Sequence, residues 1–459
     1  MADKKRSSEF RRKVANNLAV TRLFEGVSQT ELAERLGTSK SSISRIEKGE
    51  QNLTLDYVCA YAEALGKQPV LMVEEPPVEY SDESAYQLKL YDEVLMEFSM
   101  ARKPDFKIEV ISVNEERRHL LPLDLEPTPE GIEDWFRYRS IPKNREMVSK
   151  ILGSLDLEIS DIKGVIDICL GLSLNDSYWI TQPAFEGKFD DYNLYENEFS
   201  EALSLIAYTG GKYSDKHLRT TPELTTGGML RKGWRYFGKD NIWLYKGGTF
   251  GFANSGNEPY SEYFASQIAK RMRINAVEYQ LENWMGILAS RCKLFTNRYL
   301  SYIPIGRLVK TGGIQACLDY YKELGDEFYQ QLADMLVFDA VILNEDRHFG
   351  NFGVLRDNRT GKIVAPAPVF DNGVSLLCFA MKTDFKDLDD YIKTRTNPYG
   401  KNDQFITLAK RVMGLRQKEN LRRLINFRFE ESEVSNPPSW RVHALEDLVQ
   451  ERVRLLLTE

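Results

Sequence analysis

The sequence predicts a multidomain chain, an all-α head followed by a larger α+β body, and three observations predict it. Four short helical patterns separated by glycines fill residues 9–66. A stretch of prolines and acids, residues 74–83, then interrupts the periodicity and reads as a linker. Beyond it, strand-like and helix-like runs mix over residues 84–300, and residues 301–459 are mostly helical. The length of 459 residues suits about three domains. A composition of 42% hydrophobic and 28% charged residues is that of a globular protein with a sizeable core. No apolar run approaches the roughly 18 residues that span a bilayer. The charged start, Met1 to Lys13, is not followed by an apolar signal core. Cys59, Cys169, Cys292, Cys317 and Cys378 are scattered, with no Cys-x-x-Cys pair, which argues against a zinc ribbon or a disulfide framework. A cytoplasmic location with no membrane partner is therefore expected.

The head begins with an amphipathic pattern, Glu9 to Phe24, ended by Gly26. Ser28 is placed to cap a second helix over residues 29–36, with Glu31 completing a capping-box pattern. Ser39 can cap a third helix, Lys40 to Lys48, and Thr54 opens a fourth that runs to Leu65. The second and third helices are separated only by a few residues around Gly37, which is helix-turn-helix geometry with the third helix offered to a major groove. Residues 1–73 also carry 12 Lys and Arg against 9 Asp and Glu, whereas the remainder is acidic, which suits nucleic-acid contact at one end. Leu32, Ala33, Leu36, Ile43 and Ile46 form the expected core.

The segment from Ser28 to Gly49 resembles lambda-repressor/Cro-like (HipB-like) domains. That resemblance implies Lys40, Ser41 and Arg45 as contacts to bases or phosphates. It implies that Gln29, at a helix start where free amides attract phosphate, touches the DNA backbone. It also implies a double-stranded DNA operator as partner, and a homodimer on a near-palindromic site.

In the body, residues 84–208 offer no metal-ligand spacing, and Trp135, Tyr138, Trp179 and Tyr195 read as packing aromatics. Chemistry begins with the small loop Thr225-Thr226-Gly227-Gly228, followed by Lys232 and a hairpin ending in Ile242 to Lys246. On a period-two strand Ile242, Leu244 and Lys246 share one face, which sets an ammonium at the end of an apolar surface. A backbone able to approach phosphates and one lysine to neutralise them suits nucleotide binding, although no Walker-A pattern is present. A helix from Tyr260 to about Met272 buries Phe264, Ile268 and Met272, and Glu262 lies near its start. There it would serve as a dipole partner or as an ion-pair partner of Lys246.

An apolar helix, Phe328 to Leu343, then runs into Asn344-Glu345-Asp346-Arg347-His348-Phe349-Gly350-Asn351. A hairpin through residues 352–365 returns the chain to Val369-Phe370-Asp371-Asn372-Gly373. The hairpin folds Asp371 back beside Asn351, so two oxygen ligands can converge on a hard cation. Asp346 can face the transferred phosphoryl group from the other side and receive a hydroxyl proton. Arg347 and His348 are read as loop organisers, and Asp339 as a structural hydrogen-bond partner.

Asp346-Arg347-His348-x-x-Asn351, followed by Ala-Pro-x-Phe-Asp371, resembles the HipA-like serine/threonine protein kinases; related loops occur in phosphatidylinositol kinases. The resemblance implies a two-lobed protein-kinase-like fold, with residues 84–300 as the N-terminal lobe and 301–459 as the C-terminal lobe. It implies ATP and Mg2+ as cofactors, Asp346 as catalytic base, Asn351 and Asp371 as magnesium ligands, and Lys246 as the phosphate lysine. Thr225 and Thr226 fall where such kinases carry a regulatory autophosphorylated serine. The function implied is a kinase coupled to operator binding, as in a fused toxin–antitoxin or phage-type regulator. Two alternatives stand beside it: a DNA-binding regulator whose kinase-like domain only senses nucleotide or a partner, and a lipid or small-molecule kinase.

Overall fold

The computed structural model describes residues 11, 14–15, 17–22, 25, 27–69, 83–101, 107–159, 161–211, 213, 220–251, 254–395, 398–399 and 405–458. The expected linker lies outside them except for Glu83, and the first helical pattern only partly inside. The chain forms two compact units, Met1–Glu79 and Tyr80–Glu459.

In the first unit the helices α1 (Gln29–Arg35), α2 (Lys40–Glu47) and α3 (Leu55–Ala64) each start at the expected cap. Ser28, Ser39 and Thr54 lie in extended backbone and accept the amide N–H groups of Glu31, Ser42 and Tyr57. Each thereby satisfies a donor that a helix start leaves orphaned. The capping box closes on one side only. The Glu31 carboxylate takes Arg35 at 2.7 Å, an i,i+4 ion pair, instead of turning back to the cap. Leu32, Ala33, Ile43 and Ile46 are buried together with Tyr61 and Leu65.

Behind that core sits a polar knot the sequence does not advertise. Glu47 accepts hydrogen bonds from Arg22 (2.6 and 2.8 Å), Gln29 (2.8 Å) and Tyr61 (2.6 Å). The Arg22 and Glu47 side chains are both nearly buried. Glu47→Ala is expected to destabilise this unit by about 3 kcal/mol, because Arg22 and Tyr61 lose their acceptor in a dry site. Calorimetry of the full chain would register an earlier first transition; an unmoved one would remove the knot from the stability account.

Among the described residues the second unit contains three antiparallel sheets. Strands β1 (Glu83–Leu90), β2 (Glu93–Ala101), β3 (Lys107–Val113) and β4 (Tyr178–Thr181) lie in the order β3-β2-β1-β4. Helix α4 (Pro129–Arg139) covers this sheet with Ile132, Trp135 and Phe136. Trp135, Trp179 and Tyr195 are buried. Tyr138 departs from the packing role: it stays 43% exposed, with the Arg307 guanidinium stacked 4.8 Å from its ring centre.

Strands β5 (Lys232–Tyr236), β6 (Ile242–Gly247), β7 (Tyr279–Trp284) and β8 (Ile287–Lys293) form the second sheet, in the order β5-β6-β8-β7. Helix α5 (Glu258–Met272) packs against it and buries Phe264, Ile268 and Met272, the predicted stripe. The third sheet, β11-β10-β9, joins β9 (Leu300–Pro304) to the hairpin β10 (Gly353–Asp357) and β11 (Ile363–Pro366). Helix α6 (Asp326–Ile342) is buried continuously from Gln331 to Ile342 and is the hub of the largest core, with α7 (Ser439–Leu457) packed on it. No helix among the described residues is long and apolar enough to cross a membrane.

Candidate functional site

Lys246 on β6 stands directly opposite Lys232 on β5, so both side chains leave one face of the sheet. The Lys246 ammonium, buried at the end of that face, meets two carboxylates brought from distant elements. It donates to Glu262 on α5 and to Asp371 on the loop after β11, the latter at 2.5 Å. The second Glu262 oxygen accepts the Asn372 N–H at 2.9 Å. Strand, helix and loop are therefore locked around one lysine. Asp371 holds φ +57°, a left-handed conformation that costs an L residue roughly 1–2 kcal/mol and survives only where its surroundings dictate it.

The polar loop starts where α6 ends, at Leu343 with φ +52°. Buried Asn344 accepts the Asp346 N–H (3.0 Å) and donates to the Asp371 carbonyl (3.4 Å). Arg347 is fully buried and pairs with Asp339 at 3.1 Å. Its Nη1 also donates to the carbonyls of Asn351 (3.2 Å), Phe370 and Asp371 (3.4 Å), and its Nη2 to Asn372 Oδ1 (2.5 Å). One guanidinium thus ties the helix, the 346–351 loop and the 370–372 loop together, the organising role read for Arg347 and Asp339. His348 is exposed, and its Nδ1 accepts the Gly350 N–H at 3.0 Å. Asn351 Nδ2 donates to the Asp346 carbonyl (3.0 Å), which leaves its side-chain oxygen as the group available to a cation.

Charge is balanced tightly here. Burial acts to raise the Asp371 carboxyl, but the Lys246 and Lys232 ammonium groups outweigh it and hold Asp371 well below the usual carboxylate range. Burial likewise opposes the charge on Lys246, and Asp371 with Glu262 overcomes it, raising that group. Burial raises the Asp346 carboxyl, and repulsion from Asp371 adds to this, while His348 and Lys246 pull the other way. Among the described residues no carboxylate is bonded to Lys232. Burial, then repulsion from Lys246, brings its ammonium down to about 7.

The Thr225–Lys232 loop reaches this cluster through its backbone and Lys232. Thr225 Oγ1 donates to the Leu172 carbonyl (2.9 Å), and Thr226 Oγ1 donates to the Pro222 carbonyl (2.7 Å) while accepting Trp234 Nε1 (2.9 Å). Both hydroxyls are engaged inside the protein. Lys232 Nζ donates to the Gly227 carbonyl at 2.8 Å, and Gly228 lies so close that a Cβ there would fall 2.2 Å from the same nitrogen. The loop is anchored by Arg145, which sequence reasoning missed. Buried Arg145 pairs with buried Glu223 (2.7 Å) and donates to the carbonyls of Thr226 (3.2 Å) and Lys232 (3.0 Å). The partners lie 78 residues apart, and neither sits in a motif that could have flagged it.

Asn351 Oδ1 and the Asp371 carboxylate are hard oxygen donors, the chemistry that Mg2+ prefers when phosphates and water complete its shell. Among the described residues no group of three or more His, Cys, Asp or Glu is placed to hold a metal ion.

In the first unit, Lys40, Ser41 and Arg45 are exposed along α2, and Ser41 Oγ lies 2.9 Å from Ser39 Oγ. Gln29 is half-buried, its amide nitrogen committed to Glu47, so it is joined to the domain's own core rather than free on the surface.

No curated protein matches the chain. Among solved structures, the Helicobacter pylori proinflammatory kinase CtkA is 19% identical, with a TM-score of 0.38, over 51% of this chain and 93% of its own. A chain of the Shewanella oneidensis MR-1 toxin–antitoxin complex of HipA, HipB and operator DNA is 12% identical, with a TM-score of 0.48, over 82% of this chain and 100% of its own. Residues 22–71 match the helix-turn-helix family model, and the chain therefore begins with a helix-turn-helix domain ahead of its α+β unit.

Proposed function

We propose that the second unit is an ATP- and magnesium-dependent serine/threonine protein kinase of the HipA-like type, coupled in one chain to sequence-specific operator binding. The observation that carries this reading is the Lys246 ammonium held between Glu262 and Asp371, with Asp346 close enough to feel the charges of Lys246 and Asp371. A lysine fixed by a helix carboxylate beside a metal-type aspartate is an arrangement for gripping phosphates.

Lys246 and Lys232 neutralise nucleotide phosphates from one sheet face, and the Gly227–Gly228 backbone approaches them closely. Asp346 orients the acceptor hydroxyl and takes its proton, a task its raised carboxyl suits. Asn351 and Asp371 would hold magnesium, which supplies charge neutralisation on the transferred group. Most of the rate gain comes from positioning and electrostatics.

The test is transfer of label from γ-labelled ATP in magnesium. Label in a protein precipitate supports the reading. Label extracted into organic solvent assigns a lipid acceptor instead, and nucleotide retained without any transfer leaves a sensor.

The exposed face of α2, preceded by its serine cap, supports operator contact by Lys40, Ser41 and Arg45, with two copies of the chain on a near-palindromic site. Arg45→Ala is expected to weaken operator binding by about 1–3 kcal/mol while ATP turnover is unchanged. A gel shift of unaltered affinity would remove Arg45 from the interface.

A further inference from the structure

We infer that Glu258 is a positioning residue for the phosphate lysine, clamping the Gly248–Thr249 backbone that leaves β6 two residues after Lys246. The inference rests on the kinase reading of this site. Glu258 opens α5, one turn before Glu262, and is only 2% exposed. Its Oε1 accepts the Thr249 N–H at 3.2 Å. Its Oε2 is buried with no hydrogen-bond partner among the described residues.

The backbone beyond Lys246 is held from both sides. A Cβ on Gly248 would come within 2.8 Å of Glu258 Oε2 and 2.7 Å of the Gly256 Cα. A Cβ on Gly247 would meet the Arg231 side chain at 2.8 Å, and the Gly247 N–H donates to the Arg231 carbonyl at 3.1 Å. The same carboxylate side chain borders the other arm of the site, since a Cβ on Gly373, two residues after Asp371, would sit 3.5 Å from Glu258 Cβ. Glu258 therefore stands between the chain leaving the phosphate lysine and the chain leaving the metal-type aspartate.

The positive end of α5 accounts for a negative charge at this position. It does not account for complete burial with one oxygen unpaired, an arrangement that costs free energy and persists where something else requires it. Fixing the residues next to Lys246 is that requirement: a phosphate-binding ammonium misplaced by an ångström loses most of its value.

The experiment compares full-length wild type, Glu258→Ala and Glu258→Gln for thermal melting, for kcat and KM with ATP, and for affinity toward a fluorescent ATP analogue. Glu258→Ala is expected to raise KM and the analogue's Kd about tenfold, the loss of the hydrogen bond that holds the Thr249 N–H. Glu258→Gln keeps an acceptor for Thr249 and is expected to restore both. Wild-type KM in the alanine variant, or a glutamine variant as impaired as alanine, overturns the inference. Should the alanine variant not fold, Gly248→Ala drives a methyl between Glu258 Oε2 and the Gly256 backbone and is expected to raise KM alike; a wild-type KM there is equally fatal. A wild type that neither binds the analogue nor transfers phosphate defeats the kinase reading itself, a result separate from an active enzyme indifferent to Glu258.

Discussion

Asp346→Asn is expected to lower the rate of phosphate transfer by about 10²–10⁴-fold while nucleotide affinity stays near wild type. The substitution is almost isosteric, and the loop has no reason to move. The hydrogen bonds that shape it at this residue run through its backbone: Asn344 accepts the Asp346 N–H, and Asn351 donates to the Asp346 carbonyl. The carboxylate is thus spared from scaffolding, and its removal isolates proton acceptance. Single-turnover transfer, read beside the dissociation constant of an ATP analogue, gives both quantities. An asparagine variant retaining half the wild-type rate would exclude Asp346 as the base.

Arg347→Met is expected to destabilise the second unit by about 3–5 kcal/mol. Methionine fills much of the space but leaves Asp339, 2% exposed, as an uncompensated buried charge. It also strips a donor from the carbonyls of Asn351, Phe370 and Asp371 and from the Asn372 side chain. Lysine is not a substitute, because a single ammonium cannot serve the helix and both loops at once. Combining Arg347→Met with Asp339→Leu is expected to recover much of the loss, since two neutral groups replace a broken pair. Urea unfolding provides the measurement, and an unchanged midpoint in the single variant would show that the guanidinium supports nothing essential.

Local signals were legible in the sequence because their physics is local. Ser28, Ser39 and Thr54 cap helices by bonding an amide three residues on, so the pattern and the contact occupy the same few positions. The stripe of Phe264, Ile268 and Met272 follows from helical spacing, and the return of Asp371 toward Asn351 follows from the hairpin between them. What stayed hidden joins residues far apart. Arg145 and Glu223 meet across 78 positions, and Arg356 reaches the carbonyls of His119 and Leu121 from more than 230 positions away. Residues 84–208, which offered no chemistry of their own, supply these anchors. The Thr225 and Thr226 hydroxyls read as part of a phosphate loop, yet both bond inward, because carbonyls of Leu172 and Pro222 stand within reach and bury them more favourably than solvent would. Glu31 departs from the capping-box pattern for a similar reason: Arg35, one turn on, is the better partner for its carboxylate.

The carbonyls of Asn351 and Asp371 hang from one guanidinium nitrogen, so the 346–351 and 370–372 loops travel as a single casting. Lys246 is tied to the same block through Asp371 and to α5 through Glu262, so the strand, the helix and both loops are braced as one piece. A substitution that pries Asp371 loose is expected to unseat the 346–351 loop with it, because both share the Arg347 tether.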